Sequence, residues 1–139
     1  MSEPVQGLIL AHATVAAGLV AAVKQIAGID DETIRPLSND CCGPEALLDA
    51  VRRNAGSGPA LIFTDLVSGS CGFAARKLVA ERPDTAVLSG ANLPMLLDFV
   101  FHRDLPLPLL VERLVSHGRE AITGAWSKEC ADAAGPAAR

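Results

Sequence analysis

Residues Ala60 to Phe63 form an unbroken apolar run that ends on Thr64-Asp65 and passes through Ser68-Gly69-Ser70 into another apolar segment. A run without polar alternation suits a strand covered on both faces, the condition of a parallel sheet held between helices. The small residues after it permit a tight turn and offer a hydroxyl cap to a following helix. Asp65 then stands at the carboxyl end of the strand. In open α/β sheets ligands gather at that edge, so Asp65 is a candidate for chemistry, with a plain turn role as the alternative.

The same strand-then-helix unit recurs along the chain. Val5 to Ala11 is an apolar run ending at His12, after which Val15, Leu19, Val23 and Ile26 return at helical spacing up to Gly28, a natural C-cap. Thr33 to Leu37 is a shorter strand candidate. Ser38 to Gly43 follows it as a polar loop, and Pro44 opens a helix whose inner face carries Leu47, Leu48 and Val51. After the strand ending at Asp65, Phe73, Leu78 and Val79 belong to a third helix that stops near Pro83. Thr85 to Ser89 is a fourth strand, and Asn92 is placed to cap a helix that turns Met95, Leu96, Phe99 and Val100 inward. Leu110, Val111, Leu114 and Val115 carry a last helix to about Thr123. Strands alternating with helices predict a single-domain open α/β sheet, mainly parallel and four-stranded, with right-handed crossovers and helices on both faces. The domain is expected over residues 4–124. Residues 125–139 form a tail that is either disordered or docked on a partner subunit through Trp126.

A length of 139 residues with half of them hydrophobic supports one core. The net charge of −4 and the lack of a Lys/Arg-rich run leave nothing to neutralise a phosphate backbone, so no nucleic-acid partner is expected. The N-terminal stretch has no positive n-region, and His12, Thr14, Lys24 and Gln25 interrupt its apolar residues. It reads as neither a signal peptide nor a membrane span, so a cytoplasmic protein with no membrane insertion is expected. The four cysteines, Cys41, Cys42, Cys71 and Cys130, lack CxxC spacing. Cys41-Cys42 with His12 offers soft ligands without a proper ligand spacing, so idle thiols are the expectation and no metal or other cofactor is assigned.

In a sheet of this kind the carboxyl ends of the first and third strands lie near one another. That brings His12 and Asp65 to one edge, with Ser70 and Asn92 on adjoining loops. A carboxylate beside a histidine fixes its tautomer and makes it a base or nucleophile. The helix starting near Thr14 presents free N–H groups that favour an anion on His12. The alternative is a histidine that merely ends a strand. His102 and His117 lie within or at the end of helices and read as surface or capping residues.

Leu8-Ile-Leu-Ala-His12, Phe63-Thr-Asp65 with Gly69-Ser70, and Ser89-Gly90-Ala-Asn92-Leu-Pro94-Met-Leu together resemble the mannose-type IIA component of the bacterial phosphoenolpyruvate-dependent sugar phosphotransferase system. Gly118-Arg119-Glu120 also looks like that family, and the likeness runs from about Val5 to Thr123. It implies a phosphotransferase. His12 would accept a phosphoryl group from the phosphorylated carrier HPr and pass it to a IIB component. Asp65 would orient His12, Ser70 would contact the phosphoryl group, and Thr14, Gly69 and Asn92 would form the binding surface. A homodimer is expected from the family and from a mean hydropathy above zero. The same resemblance allows a regulatory protein that reports phosphorylation state to a partner without sugar transport. A nucleotide binder is disfavoured because Ala11-His12-Ala13-Thr14 lacks the GxGxxG glycines. The chain departs from the family pattern at Ala13, where glycine is common, at Ser68-Gly69-Ser70-Cys71 in place of Gly-Gly-Ser-Pro, and at Cys41-Cys42-Gly43-Pro44.

Overall fold

The computed structural model describes residues 3–41 and 43–135; Cys42 and the last four residues of the predicted tail lie outside that range. Four strands, β1 (Gln6–Ala11), β2 (Ile34–Ser38), β3 (Ala60–Thr64) and β4 (Thr85–Ser89), form one sheet in the order β2-β1-β3-β4. Every neighbouring pair is parallel. The helices are α1 (Val15–Ala27), α2 (Pro44–Asn54), α3 (Gly69–Glu81), α4 (Leu93–Val100), α5 (Leu107–Glu120) and α6 (Lys128–Ala134), with a short 3₁₀ turn at Asn39–Cys41. The predicted α/β sheet is therefore what the chain adopts, with the second strand shifted one residue to let Ser38 pair with Ala11.

Side chains alternate across β1 because successive Cβ atoms of a strand point to opposite faces. Ile9 and Ala11 join Leu61 and Phe63 in a core closed by α1, α4 and α5. Leu8 and Leu10 join Ile62 in a second core closed by α2 and α3. Phe63 and Phe99 meet edge to face, ring centres 5.2 Å apart and planes at 79°. Burying a side chain of this kind contributes about 1.5–3 kcal/mol, and the many large side chains buried to this degree, Leu8, Ile62, Leu96 and Leu114 among them, hold two helical layers on so small a sheet.

This strand order has a positional consequence. The chain steps from β1 to β2 on one side, then crosses back over β1 to reach β3. The order reverses between β1 and β3, and a crevice opens at such a switch point, outside the carboxyl ends of the strands. His12 directly follows β1, and Asp65 directly follows β3.

Beyond α5 the structure holds an element that the sequence pattern does not announce. Lys128–Ala134 is a helix whose N-cap, Ser127, accepts a hydrogen bond from the Cys130 N–H at 3.1 Å. It has no apolar stripe, so periodicity does not reveal it. Residues 121–134 are all exposed, Trp126 to 73%. The last long helix also stops at Glu120, short of Thr123, since Ile122 points into solvent and has no core to join.

Candidate active site

β1 is a central strand, buried after its first residue, and it delivers His12 to the edge through Ala13, which adopts a left-handed conformation with φ of 50°. An L-residue with a side chain pays roughly 1–2 kcal/mol for that conformation. The position has glycine-like geometry, and Ala13 holds it under strain beside the candidate nucleophile.

Asp65 binds His12 twice. The His12 backbone N–H donates to Asp65 Oδ2 at 3.0 Å, and the imidazole Nδ1 lies 2.9 Å from the same oxygen and 3.2 Å from Oδ1. Oδ1 also accepts from the Leu66 N–H at 3.0 Å. Every partner of this carboxylate is a donor, which assigns the ring proton to Nδ1 and leaves the Nε2 lone pair free. Burial pushes the Asp65 carboxyl up, but the His12 backbone and ring hydrogen bonds and the attraction of the imidazole outweigh it, and the group is held below the usual carboxylate range. His12 itself keeps 38% of its side chain exposed, so a second molecule can reach Nε2.

The free nitrogen faces α3. Gly69 adopts a left-handed conformation with φ of 87°, and a Cβ there would touch the ring, 3.6 Å from Nε2. No side chain caps α3 at Ser68 or α1 at Thr14; the Val15 N–H that opens α1 donates to the His12 carbonyl at 3.1 Å, whereas the start of α3 offers uncapped N–H groups to a ligand. The loop between Asp65 and α3 is pinned from below. Arg76 donates to the Val67 carbonyl at 2.6 Å, and Gly72 lies so near that carbonyl that any side chain at 72 would collide with it.

His12, Asp65 and Gly69 thus come together, with Thr14 and Ser70 on the flanking helix starts. Asn92 is placed differently. Its Oδ1 accepts from the Met95 N–H at 3.1 Å, capping α4, and its Nδ2 donates to the Gly118 carbonyl at 3.0 Å, tying α4 to the end of α5. Both ends of that amide are committed to backbone. His102 follows α4 with Nδ1 2.8 Å from the Asp98 carbonyl, and His117 is exposed in the last turn of α5.

Two neighbours of the site escape sequence reasoning. Cys71 Sγ lies 4.0 Å from His12 Nδ1, and among the described residues His12, Asp65 and Cys71 could in principle hold a metal ion, with ligand atoms all within 4.8 Å of one another. Burial pushes the Cys71 thiol up, and the Asp65 carboxylate reinforces this against a hydrogen bond from Ser70. Nδ1, moreover, is already engaged by Asp65. Asn39, at the end of β2, donates to Ser70 Oγ at 3.2 Å. Its place at a strand's carboxyl edge beside β1 is the signal that would have found it.

Fold and site together define a parallel α/β protein with a carboxylate-tethered histidine at its topological switch point. A family model described as PTS system fructose IIA component (EIIA-man) matches residues 7–115, and the chain belongs to that family. Among solved structures, it is similar to the mannose/sorbose specific IIA subunit of the phosphotransferase system from Enterococcus faecalis, at 23% identity and a TM-score of 0.76, covering 90% of this chain and 97% of that one. It is also similar to phosphotransferase system component EIIA from Streptococcus agalactiae, at 25% identity and a TM-score of 0.79, covering 86% and 96%. A sigma-54 interaction domain protein from Enterococcus faecalis shares the fold at 14% identity and a TM-score of 0.65, over 86% and 94%. No curated protein matches. No helix among the described residues is long and apolar enough to cross a membrane.

Proposed function

We propose that this protein is a histidine phosphocarrier, which takes a phosphoryl group from phosphorylated HPr onto Nε2 of His12 and passes it to a IIB component. The observation that carries the reading is the two-point hold of Asp65 on His12, which puts the proton on Nδ1 and leaves Nε2 as the nucleophile beside an uncapped helix start. In the transfer, the Nε2 lone pair attacks phosphorus, a P–N bond forms there, and the bond to the donor's imidazole breaks, its electron pair leaving with the donor. The His12 ring becomes cationic with its proton still on Nδ1, and Asp65 balances that charge. The free N–H groups of α3, beginning at Gly69, and the Ser70 hydroxyl receive the phosphoryl oxygens, Thr14 marks the equivalent start of α1, and Asn92 keeps the β4–α4 loop in place. The reverse of the same steps delivers the group to the acceptor.

Exposed Val15, Leu66, Val67 and Phe73 stand on the elements that carry His12 and Asp65, an apolar rim suited to transient docking of the two protein partners. The protein acts in the cytoplasm, as a homodimer in which the tail with exposed Ile122 and Trp126 covers the partner subunit.

Incubation with phosphoenolpyruvate, enzyme I and HPr tests the reading. One phosphoryl group should add, labile in acid and stable in alkali as a phosphoramidate is. His12→Ala should abolish labelling, while His102→Ala and His117→Ala should not. A label that survives His12→Ala, or one stable in acid, refutes it. Onward transfer to a IIB component separates a carrier from a regulator that uses the same phosphohistidine.

A further inference from the structure

We propose that Asn39 is a positioning residue that fixes the Ser70 hydroxyl as a hydrogen-bond donor toward the phosphoryl group on His12; this rests on the phosphocarrier reading. The strands β1 and β3 supply the histidine and its carboxylate, and β2, on the other side of β1, brings a third strand end to the same edge. Asn39 opens the 3₁₀ turn there, and its Nδ2 lies 3.2 Å from Ser70 Oγ, across 31 residues of sequence.

An amide NH₂ only donates, so Ser70 accepts that bond through a lone pair and keeps its own proton, which serves either the Cys71 sulfur or an incoming oxygen. Ser70 sits between Gly69, which abuts Nε2 of His12, and Cys71, whose sulfur is 4.0 Å from Nδ1. Its hydroxyl therefore belongs to the turn that faces the reacting nitrogen. An exposed serine on its own has three rotamers to choose from; the amide of Asn39 restricts both the rotamer and the direction of the proton.

The other end of Asn39 strengthens this assignment. Its Oδ1 is buried with no hydrogen-bond partner among the described residues. Folded proteins seldom leave such an atom unpaired, and exceptions gather at functional sites. Asn92 makes the contrast within the same chain, since a purely structural asparagine there uses both ends of its amide on backbone. Among the described residues the Asn39 side chain makes one hydrogen bond, and it goes to Ser70, the residue after the glycine that faces Nε2.

A double-mutant cycle tests the assignment through single-turnover transfer from phosphorylated HPr. Asn39→Ala should slow transfer by up to about tenfold, the scale of one hydrogen bond, at an unchanged half-saturating HPr concentration, and should have no further effect in a Ser70→Ala background. Asn39→Asp, nearly identical in shape, turns the bond around by accepting the Ser70 proton and should be slower than Asn39→Ala. Because Asn39→Ala enters both arms of the cycle, any loss of folding stability it causes cancels. Additive effects of Asn39→Ala and Ser70→Ala overturn the inference, as does Asn39→Asp transferring as fast as wild type, while leaving His12 labelling intact. A wild-type protein that gains no label at all fails the phosphocarrier reading instead.

Discussion

Replacing Asp65 by asparagine changes one atom, yet the structure leaves that atom no acceptable position. Oδ2 faces the His12 N–H at 3.0 Å and the ring Nδ1 at 2.9 Å, and Oδ1 faces the Leu66 N–H at 3.0 Å. An amide has one oxygen, so its NH₂ must confront a donor on one side or the other. With the NH₂ toward Leu66, the loop loses a hydrogen bond to a charged acceptor, about 1.5–3 kcal/mol. With the NH₂ toward His12, Nδ1 must become the acceptor, the ring proton moves to Nε2, and the nucleophilic lone pair is gone. In either case no negative charge balances the imidazolium that forms as phosphorus bonds to Nε2. Transfer should slow by roughly a hundredfold or more, which is about 2.7 kcal/mol in the barrier. Quench-flow with intact-mass detection of the phosphoprotein reads the rate, and nitrogen chemical shifts of the His12 ring read the tautomer. Acid melts supply an independent check. Burial raises the Asp65 carboxyl, but the His12 hydrogen bonds win and its folded pKa lies below the ordinary 3.8. Its contribution is then fully present above the unfolded value and lost as pH falls through the folded one, so the stability gap between wild type and Asp65→Asn should narrow on acidification below about pH 4. Transfer at the wild-type rate with Nδ1 still protonated would refute the assignment and return Asp65 to a turn residue.

Three further outcomes follow from the same geometry. Ala13→Gly should stabilise the fold by up to about 1 kcal/mol in a denaturant melt, because relief of the left-handed strain at φ of 50° exceeds the entropic cost of glycine; a loss of about 1 kcal/mol, as in an ordinary helix, would show that Ala13 carries no strain. Gly72→Ala should cost about 1–3 kcal/mol and slow His12 labelling together, since its methyl would drive the Val67 carbonyl away and with it the loop from Asp65 to Ser70; unaltered labelling would separate that loop from function. Light scattering at micromolar concentration should give twice the 14.4 kDa chain mass, falling toward the monomer in Trp126→Gln, whereas a monomeric wild type removes the docked-tail interpretation.

The layers of the fold were legible because they follow from period alone. A strand covered on both faces reads as an unbroken apolar run, as at Ala60–Phe63, and the alternation of such runs with helical spacing allows few topologies. His12 and Asp65 were legible for the same reason, since each is the first reactive residue after a strand, and strand order alone decides that their ends adjoin. What stayed hidden depends on rotation about a helix axis or on a single dihedral angle. Cys71 looks like any buried thiol until the first turn of α3 swings it against the His12 ring. Ala13 looks like a permissive substitution until its φ is seen. Asn92 looks like part of the binding surface, and only its two backbone partners reveal where its amide is spent.

The division has a chemical meaning for the site. The parts that periodicity dictates, a histidine and a carboxylate at the ends of adjacent parallel strands, define which ring nitrogen is engaged and which is left with a free lone pair. The parts it does not dictate, the left-handed Ala13 and Gly69, the Gly72–Val67 contact and the Asn39–Ser70 bond, define where a phosphoryl group would rest once it arrives. The first set rides on a hydrogen-bonded sheet and the second on loops and helix starts. A chain can therefore carry Ala13 and Cys71 beside the site and still hold the His12 ring through Asp65. On the phosphocarrier proposal, the rate and lifetime of the phosphorylated state are the quantities on which those two residues should act.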